Sequence, residues 1–362
     1  MAIQSSVNIG GVWKSVSALS VNIGGVWKAV VGAWTNIGGV WKSWFSKELS
    51  YYGIATNLSV ARSRLAASSN SVYAIFGGGE TGSRSAVVDA YDSSLTRSIP
   101  TALSVAVRDL AAASVGIYVL FGGGFGSSGT TGVVNAYNQS LVRTIPTALS
   151  STSEKLSAAP FNGHAVFGGG SATAVNSYDS ELTRTTRTAL TSARTNGSAS
   201  NTSTHALFGG GYTTSYRNEV NAYDTSFTRT SPTALSVSRA ELIANSISDN
   251  VIFAGGATAT STYSAVVDSY NTSLTRSVLT SLSVNRKALA SLFLQEFILF
   301  AGGIQTGGTT TMVVDTYNTS LTRSTITDLS VARDTFAGES VGMFGLFSGS
   351  IASAVVDVYQ YN

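Results

Sequence analysis

Few side chains of this sequence can take part in nucleophilic, redox or metal chemistry. The 362 residues contain no cysteine and two histidines, His164 and His205. Thiol catalysis, iron–sulfur clusters and cysteine-bound zinc therefore lack their essential side chains, and a polyhistidine metal site lacks its ligands. The glycine runs are not followed by Gly-Lys-Ser or Gly-Lys-Thr, so they do not read as phosphate loops. We expect no catalytic residue, no metal site and no cofactor.

Carboxylates are the remaining candidates for acid–base chemistry, but most of them recur at fixed intervals. Asp89, Asp268, Asp315 and Asp357 hold the same place in a repeated unit, which favours a structural role. Two aspartates that face each other across a channel could still hydrolyse a glycosidic bond. An enzyme that degrades wall polysaccharide therefore stays open as the least favoured hypothesis.

Arginines also recur, in two sets. The first set consists of Arg62, Arg108, Arg194, Arg239, Arg286 and Arg333, and Lys155 joins it at an irregular position. These side chains either surround a central mouth and attract an anionic polymer, or bond carbonyls or a carboxylate of the next unit, and their repetition favours the second. The other set, expected to pair with an Asp or Asn of its own unit, consists of Arg97, Arg143, Arg184, Arg229, Arg276 and Arg323.

A Phe-Gly-Gly-Gly motif and its variants divide the sequence into units. The motif begins, at spacings of 41 to 47 residues, at Phe76, Phe121, Phe167, Phe208, Phe253, Phe300 and Phe347. A tyrosine follows in every unit, at Tyr91, Tyr137, Tyr178, Tyr223, Tyr270, Tyr317 and Tyr359. Units of this length with four short β-like stretches are typical of β-propeller blades. The recurring tyrosine is accordingly expected to pack within the blades.

The sequence predicts an all-β fold, a seven-bladed propeller whose ring is closed by its own N-terminal strand. The seven motifs are followed by only six outer strands. The stretch from Tyr51 to Arg62 resembles a seventh, and we expect it to complete the last blade in a 1+3 arrangement. Closure removes the exposed sheet edge of an open array. We therefore predict a propeller at residues 51–362, preceded by a separate segment at residues 1–50.

The first 50 residues contain a shorter repeat. Val-Asn-Ile-Gly-Gly-Val-Trp-Lys occurs at 7–14 and 21–28, and again at 35–42 with Thr35 in place of valine. Gly-Gly between β-branched runs predicts β-hairpins. All five tryptophans of the chain lie here: Trp13, Trp27, Trp34, Trp41 and Trp44. Because so short a segment cannot bury five tryptophans alone, we expect an attachment or homo-oligomer interface, with a trimer as one form.

The candidate binding site lies on one face of the predicted propeller. With the strands of a blade labelled A to D from the centre outwards, alternation of direction places the B–C and D–A loops together. The B–C loops vary most between units, and their candidate ligand-binding residues are Arg84, Phe125, Tyr212, Tyr216, Arg217 and Tyr263. Aromatic rings beside Ser and Thr hydroxyls suit a carbohydrate. The alternative is that small polar residues merely make soluble loops.

The charge distribution argues against nucleic acid as a partner. The net charge is +3, and all of it comes from four lysines and one glutamate in residues 1–50. The remainder is neutral and has no basic stripe, so binding through phosphate contacts is disfavoured. No segment reaches the 18 or so apolar residues of a membrane span, and the first residues lack the pattern of a secretory signal. We expect neither nucleic-acid binding nor membrane insertion.

Two resemblances bear on function. The glycine run after an aromatic strand, with a tyrosine on the next strand, resembles the kelch repeat over about residues 51–362, although the tryptophan that kelch units carry after the tyrosine is absent. The Asn-Ile-Gly-Gly-Val-Trp-Lys repeat is similar to short N-terminal repeats in tail proteins of bacteriophages and phage-derived particles. Kelch-like units with Phe-Gly-Gly-Gly and Leu-Thr-Arg also resemble those of phage tail-fibre or tail-tip proteins.

The resemblances imply a virion component at the host-facing end of the tail. Residues 1–50 would dock on other tail or baseplate proteins, and the B–C/D–A loop face would bind a host-surface glycan or another receptor. The runner-up is a structural or protein-interaction component of the tail without receptor binding. The expected protein is not an enzyme.

Overall fold

The computed structural model describes residues 48–350 and 352–362 in full, and the backbone of residues 6–9, 12–15, 20–23, 26–29, 32–37 and 40–46. The chain divides into two units, residues 1–49 with 361–362, and residues 50–360. All regular structure in the described part is β-strand. That part accordingly contains no helix long and apolar enough to cross a membrane.

The first unit contains three antiparallel hairpins. They are β1 (Ser6–Ile9) with β2 (Val12–Ser15), β3 (Ser20–Ile23) with β4 (Val26–Ala29), and β5 (Gly32–Ile37) with β6 (Val40–Ser46). The register repeats, since Asn8 lies opposite Trp13 and Asn22 opposite Trp27. The predicted hairpins are confirmed. The Gly-Gly pairs and the side chains of Trp13, Trp27, Trp34, Trp41 and Trp44 lie outside the described residues.

Residues 50–360 form seven four-stranded antiparallel sheets, the blades, with A strands around a central channel. The chain enters through β7 (Leu49–Ala55), and blade 1 follows with β8 (Ala66–Ser69), β9 (Tyr73–Gly77), β10 (Val88–Asp92) and β11 (Arg97–Ser98). Blade 2 contains β12 (Ala111–Val115), β13 (Tyr118–Gly122), the loop strands β14 (Phe125–Gly126) and β15 (Gly129–Thr130), β16 (Val134–Tyr137) and β17 (Arg143–Thr144). Blade 3 contains β18 (Leu156–Phe161), β19 (His164–Gly169), β20 (Val175–Tyr178) and β21 (Arg184–Arg187).

The remaining blades repeat this order. Blade 4 contains β22 (Ser198–Asn201), β23 (His205–Gly209), β24 (Val220–Asp224) and β25 (Arg229–Thr230). Blade 5 contains β26 (Ile243–Ile247), β27 (Asn250–Ala254), the loop strands β28 (Ala257–Ala259) and β29 (Thr262–Tyr263), β30 (Val267–Tyr270) and β31 (Arg276–Leu279). Blade 6 contains β33 (Ala290–Leu294), β34 (Phe297–Ala301), β36 (Val314–Asn318) and β37 (Arg323–Ile326), with β32 (Arg286–Lys287) paired to β35 (Ile304–Gln305) beside it.

Blade 7 closes the ring as the sequence predicts. It contains β38 (Ala337–Val341), β39 (Phe344–Ser348) and β40 (Val356–Tyr361), and β7 lies beside β40 as its outer strand. The Tyr51 hydroxyl donates to Asp357 Oδ1 at 2.7 Å, and the Tyr51 ring lies edge-on to Tyr359 with centroids 5.3 Å apart. The predicted seven-bladed all-β propeller is confirmed, including its 1+3 closing blade.

The motif glycines admit close contact between blades. A Cβ on Gly77 would lie 2.9 Å from the Phe121 ring of the next blade, and one on Gly122 would lie 3.0 Å from Phe167. Gly79 has a φ of +113°, and a Cβ there would lie 2.7 Å from the Ser63 carbonyl oxygen. The glycine run is therefore a packing surface for the neighbouring phenylalanine and backbone.

The recurring tyrosine joins each blade to its predecessor. All seven are fully buried, and Tyr91 donates its hydroxyl hydrogen to the Thr56 carbonyl at 2.8 Å. The equivalent bonds are made by Tyr137, Tyr178, Tyr223, Tyr270, Tyr317 and Tyr359 to carbonyls of Thr101, Thr147, Thr188, Thr233, Thr280 and Thr327. Burial raises the pKa of these phenols above its usual range, so each remains a donor. The predicted packing role is confirmed.

Candidate functional site

The recurring arginines of the first set are mostly internal. Arg62, Arg239 and Arg286 have no exposed surface, and Arg333 and Arg194 are buried almost as completely. Arg62 Nη1 lies 2.8 Å from Asp89 Oδ2, and its other nitrogens donate to the Gly78 and Phe76 carbonyls. The same ion pair forms between Arg239 and Asp268, Arg286 and Asp315, and Arg333 and Asp357. The hypothesis that these arginines surround the central mouth and attract an anionic polymer is therefore wrong.

The paired carboxylate also ties one blade to the end of the previous one. Asp89 Oδ1 accepts the Ser59 N–H at 2.9 Å, and the same acceptor is Asn135, Asn176 and Asn221 in blades 2 to 4. At the position of Arg62, blades 2 and 3 carry Val107 and Ser153. The position of Asp89 is thus an aspartate only in blades that have an arginine at the position of Arg62. Arg108 and Lys155, which we expected in this set, belong to other contacts.

Of the second set, Arg97, Arg276 and Arg323 lie within 3.8 Å of an aspartate of their own blade, and Arg323 Nη1 reaches Asp315 Oδ1 at 2.8 Å. The others donate to backbone carbonyls of the preceding blade: Arg143 to Ala102, Arg184 to Ala148 and Arg229 to Ala189. The expected pairing is therefore confirmed in three blades, and the bond to a carbonyl is also made by Arg97 to Asn57 and by Arg276 to Ala234.

A closed ring of backbone hydrogen bonds, which the sequence does not predict, surrounds one end of the channel. Each member donates its N–H to the carbonyl of the member before it, over 2.7–3.1 Å. All have left-handed φ angles of 50–57°: Arg64, Asp109, Lys155, Asn196, Glu241, Ala288 and Thr335. They line a cavity of about 220 Å³ at the D–A end. In five blades the member lies two residues after a first-set arginine, whereas Asp109 and Lys155 lie two residues after Val107 and Ser153.

Beyond this ring, the A strands enclose a channel of about 430 Å³. Its lining combines small residues such as Ala67, Ser69 and Ala112 with larger apolar ones such as Phe293, and its one charged side chain is Glu339. Glu339 Oε1 accepts the Ser69 hydroxyl at 3.1 Å and the Ser340 N–H at 2.9 Å. Desolvation raises the pKa of this carboxyl group. The described residues bring no pair of carboxylates to face each other in the channel lining.

Two of the predicted site residues meet at the boundary between blades 1 and 2. The B–C loop of blade 1 turns back on itself, with Glu80 bridged to Arg84 and Gly82 at a φ of +97°. The Arg84 guanidinium lies 4.9 Å from the centre of the Phe125 ring, which begins β14 of blade 2. A cation over an aromatic face is attracted by the ring quadrupole. The loops of two blades thus form one surface.

Charged groups surround this contact. The Arg108 guanidinium lies 5.3 Å from the centre of the same Phe125 ring, and its Nη1 donates to Glu80 Oε2 at 3.0 Å. Arg64 lies 3.4 Å from the same Glu80 oxygen and 3.7 Å from Asp109 Oδ2. Burial raises the pKa of Asp109, while Arg64 and Lys155 oppose that shift. Arg64, Glu80, Arg84, Arg108, Asp109 and Phe125 are hereafter the blade 1–2 cluster.

Three more predicted residues lie in the B–C loop of blade 4, which has the same turn as blade 1. Tyr212 is bridged to Tyr216, and their rings stack edge-on with centroids 5.2 Å apart. Tyr212 is 40% exposed. Arg217 donates from Nε to Thr213 Oγ1 at 2.9 Å and lies 3.7 Å from Glu219. This loop presents an aromatic surface beside hydroxyls.

Tyr263 stands apart on β29 of blade 5. Its ring lies 5.1 Å from Lys287 Nζ, which pairs with Glu241 of the backbone ring at 3.1 Å. Within residues 48–350 and 352–362, no contact joins Tyr263 to the other five predicted residues. The six candidates therefore form three groups on one face.

The two histidines begin B strands, at the blade edge opposite the variable loops. The His164 ring lies 5.0 Å from Phe227, and burial lowers the pKa of His205. In the part of the chain that the structure describes, no group of three or more His, Asp or Glu side chains could hold a metal ion.

The fold places this chain among the seven-bladed β-propellers. Among solved structures, it is similar to one described as "Structure of YjhT", with a TM-score of 0.61 and 14% identity. The similarity covers 75% of this chain and 99% of that one. No family model matches the sequence, and no curated protein matches it. At this level of identity the likeness concerns the fold alone.

Proposed function

We propose that this protein is a tail-fibre or tail-tip component of a bacteriophage or phage-derived particle. It binds a glycan of the host surface through the B–C/D–A loop face and is not an enzyme. The observation that carries the proposal is a contrast within the propeller. Side chains that recur from blade to blade form contacts between blades. Aromatic and cationic side chains that do not recur lie on the loop face.

Sugar binding by this face follows from ordinary contacts. Tyr212 and Tyr216 offer ring surface on which the C–H face of a sugar can stack. Thr213, Thr214 and Ser215 between them supply hydroxyls for hydrogen bonds to the sugar. The backbone bridge between the two tyrosines holds the rings in a fixed relation, which lowers the entropy cost of binding.

The proposed role of residues 1–50 is attachment to other tail or baseplate proteins. An isolated two-stranded hairpin is marginally stable in water, and the described backbone of this unit contains three such pairs. We propose that Trp13, Trp27, Trp34, Trp41 and Trp44 are covered by copies of this chain, such as a trimer, or by a docking partner. Several propellers on one particle would strengthen weak sugar binding by multivalency.

The test is binding of the full chain to an array of bacterial surface polysaccharides. We expect wild-type binding to at least one glycan and a loss of about tenfold or more in Tyr212→Ala, if a sugar face on the ring contributes as much as a stacked nucleobase, about 1–3 kcal/mol. Tyr52→Ala is the matched control, since Tyr52 is 55% exposed on the outer strand of blade 7. Equal binding by both variants would contradict the assigned face.

The other hypotheses have distinct readouts. Attachment of the chain to tail particles, combined with no binding to any array glycan, would favour a structural component of the tail. Release of reducing ends from a bound polysaccharide would favour the enzyme. Incubation of each bound glycan with the wild-type chain, followed by a reducing-end assay, separates these outcomes.

A further inference from the structure

Arg84 differs from every other arginine of the chain. All the arginines lie within residues 48–350 and 352–362, and Arg84 alone among them has neither a hydrogen bond nor an ion pair. Its Nε is out of reach of solvent and has no partner. A cationic donor that is partly removed from water without an acceptor costs free energy. Nη1 and Nη2 of Arg84 are not shielded in this way and have no acceptor in the described protein, so they are the donors that a ligand can reach.

The neighbours of Arg84 hold it in place without using its donors. The guanidinium lies over the Phe125 ring at 4.9 Å, a contact that leaves the N–H groups free. Arg108 contacts the same ring, but its Nη1 is taken by Glu80. Arg84 is thus the arginine of the blade 1–2 cluster that has no carboxylate partner, whereas Arg64 and Arg108 both pair with Glu80.

The equivalent loop of blade 4 shows that the arrangement is particular to blade 1. The two loops have the same length, and Tyr216 occupies the place of Arg84 there. The nearby Arg217 is already engaged by Thr213 and Glu219. In the blade 1–2 cluster, three guanidinium groups face two carboxyl groups, so a local excess of positive charge remains. An anionic group is favoured at this position.

We propose that Arg84 binds an oxyanion, a carboxylate or phosphate group, carried by a sugar unit of the recognised glycan. This inference rests on the proposed function and narrows its ligand to acidic polysaccharides. The planar fork of a guanidinium donates two parallel hydrogen bonds to the oxygens of such a group. The half-buried Phe125 ring beside it offers apolar surface to the sugar that carries the charge.

The experiment measures binding of the full chain to three soluble polymers by biolayer interferometry. Polygalacturonate supplies carboxylates, poly(glycerol phosphate) supplies phosphates, and dextran is the neutral control. We expect binding to one or both anionic polymers, weakened by added salt. Arg84→Ala should weaken it about tenfold, the loss expected for one hydrogen bond to a charged group. Whichever polymer loses binding identifies the oxyanion.

Two further variants separate recognition from general charge. Arg84→Lys keeps the charge but loses the fork and the stacking, so its binding should lie between that of wild type and Arg84→Ala. Arg187→Ala is the matched control. Arg187 ends β21 of blade 3, its guanidinium lies 3.8 Å from the centre of the Phe227 ring, and it already donates to the Ser177 hydroxyl. This variant should bind like wild type. Equal losses in Arg84→Ala and Arg187→Ala would overturn the proposal.

The outcomes also distinguish this inference from the proposed function. Glycan binding on the array that is unchanged in Arg84→Ala would overturn the oxyanion site and leave the glycan-binding face standing. Binding to a neutral array glycan but to neither anionic polymer would also overturn the oxyanion site and leave the glycan-binding face standing. Binding to no glycan of any kind would overturn both.

Discussion

Arg62 and Arg84 lie in or beside the same blade and have opposite surroundings. Arg62 is inside, where it pairs with Asp89 and donates to backbone carbonyls. Arg84 is on the loop face, where it has an aromatic neighbour and no acceptor. The first position recurs through most of the ring and the second does not. In this propeller, a repeated arginine serves the scaffold, and Arg84 shows that an arginine outside the repeat can stand without a protein acceptor.

The largest expected effect tests the interior side of this contrast. Asp89→Ala leaves the Arg62 guanidinium buried without its counter-ion and removes the acceptor for Ser59. Loss of one partner of a buried ion pair typically costs about 3–5 kcal/mol. Thermal or denaturant unfolding of the full chain should show a loss of this size. A loss below about 1 kcal/mol, as for exposed ion pairs, would contradict the interior assignment.

The chain contains its own control for that variant. Blade 2 has Val107 and Asn135 where blade 1 has Arg62 and Asp89, and Asn135 still accepts the Ser104 N–H at 2.9 Å. The double variant Arg62→Val with Asp89→Asn copies that arrangement. We expect it to be more stable than Asp89→Ala, because no charge is left unpaired. A double variant that is less stable than Asp89→Ala would show that the pair contributes more than charge balance.

The next effect concerns the bond between blades. Tyr91→Phe keeps the ring against Phe76 but leaves the Thr56 carbonyl without its donor. Because Thr56 is exposed, water can bond the carbonyl, and the expected cost is the net contribution of one hydrogen bond, about 0.5–1.5 kcal/mol. Unfolding measurements should place this variant between Asp89→Ala and wild type. Tyr118→Phe is the control, since Tyr118 is only partly buried, and its stability should match that of wild type.

Glu339 is an intermediate case, a charged side chain in the scaffold that has no ion pair in the described part of the chain. Its pKa is raised by desolvation, so the folded state holds the proton more tightly than the unfolded state. Stability from this group is therefore complete below the unfolded pKa and falls as the pH rises toward the folded one. Glu339→Gln should match wild type in acid and exceed it at neutral pH. Equal Tm values for both proteins at pH 4 and pH 7 would contradict this.

Much of the fold follows from the sequence because each blade uses the same residue types at the same spacing to pack against its neighbours. The Phe and Tyr spacing gives the blades, and the missing outer strand locates β7 beside β40. The backbone ring at the channel was not predicted, since its members Arg64, Asp109 and Thr335 share no side-chain type. Their common feature is a left-handed φ, which arises from closure of seven blades and leaves no mark in composition.

The candidate site was predicted only as a set of residues. Proximity of Arg84 to Phe125 depends on how the last residue of one loop meets the first residue of the next, 41 positions along the chain. Nothing in the repeat spacing sets that distance. The expected place of Arg108 in the buried set failed for a related reason: Val107 holds the equivalent position, and a shift of one residue moves the side chain to the other face of the segment.

The smallest expected effect completes the contrast. Arg84→Ala removes a side chain that has no hydrogen bond or ion pair and contacts the Phe125 ring, so its stability should lie within about 1 kcal/mol of wild type. The same variant carries the tenfold loss expected for binding to an acidic polymer. Asp89→Ala should show the reverse, with a large loss of stability and unchanged binding once the folded fraction is taken into account. Parallel unfolding and binding curves measure both quantities. Arg84→Ala that unfolds as readily as Asp89→Ala would place Arg84 in the scaffold, because its contact with the Phe125 ring contributes only about 0.5–1 kcal/mol at an exposed site.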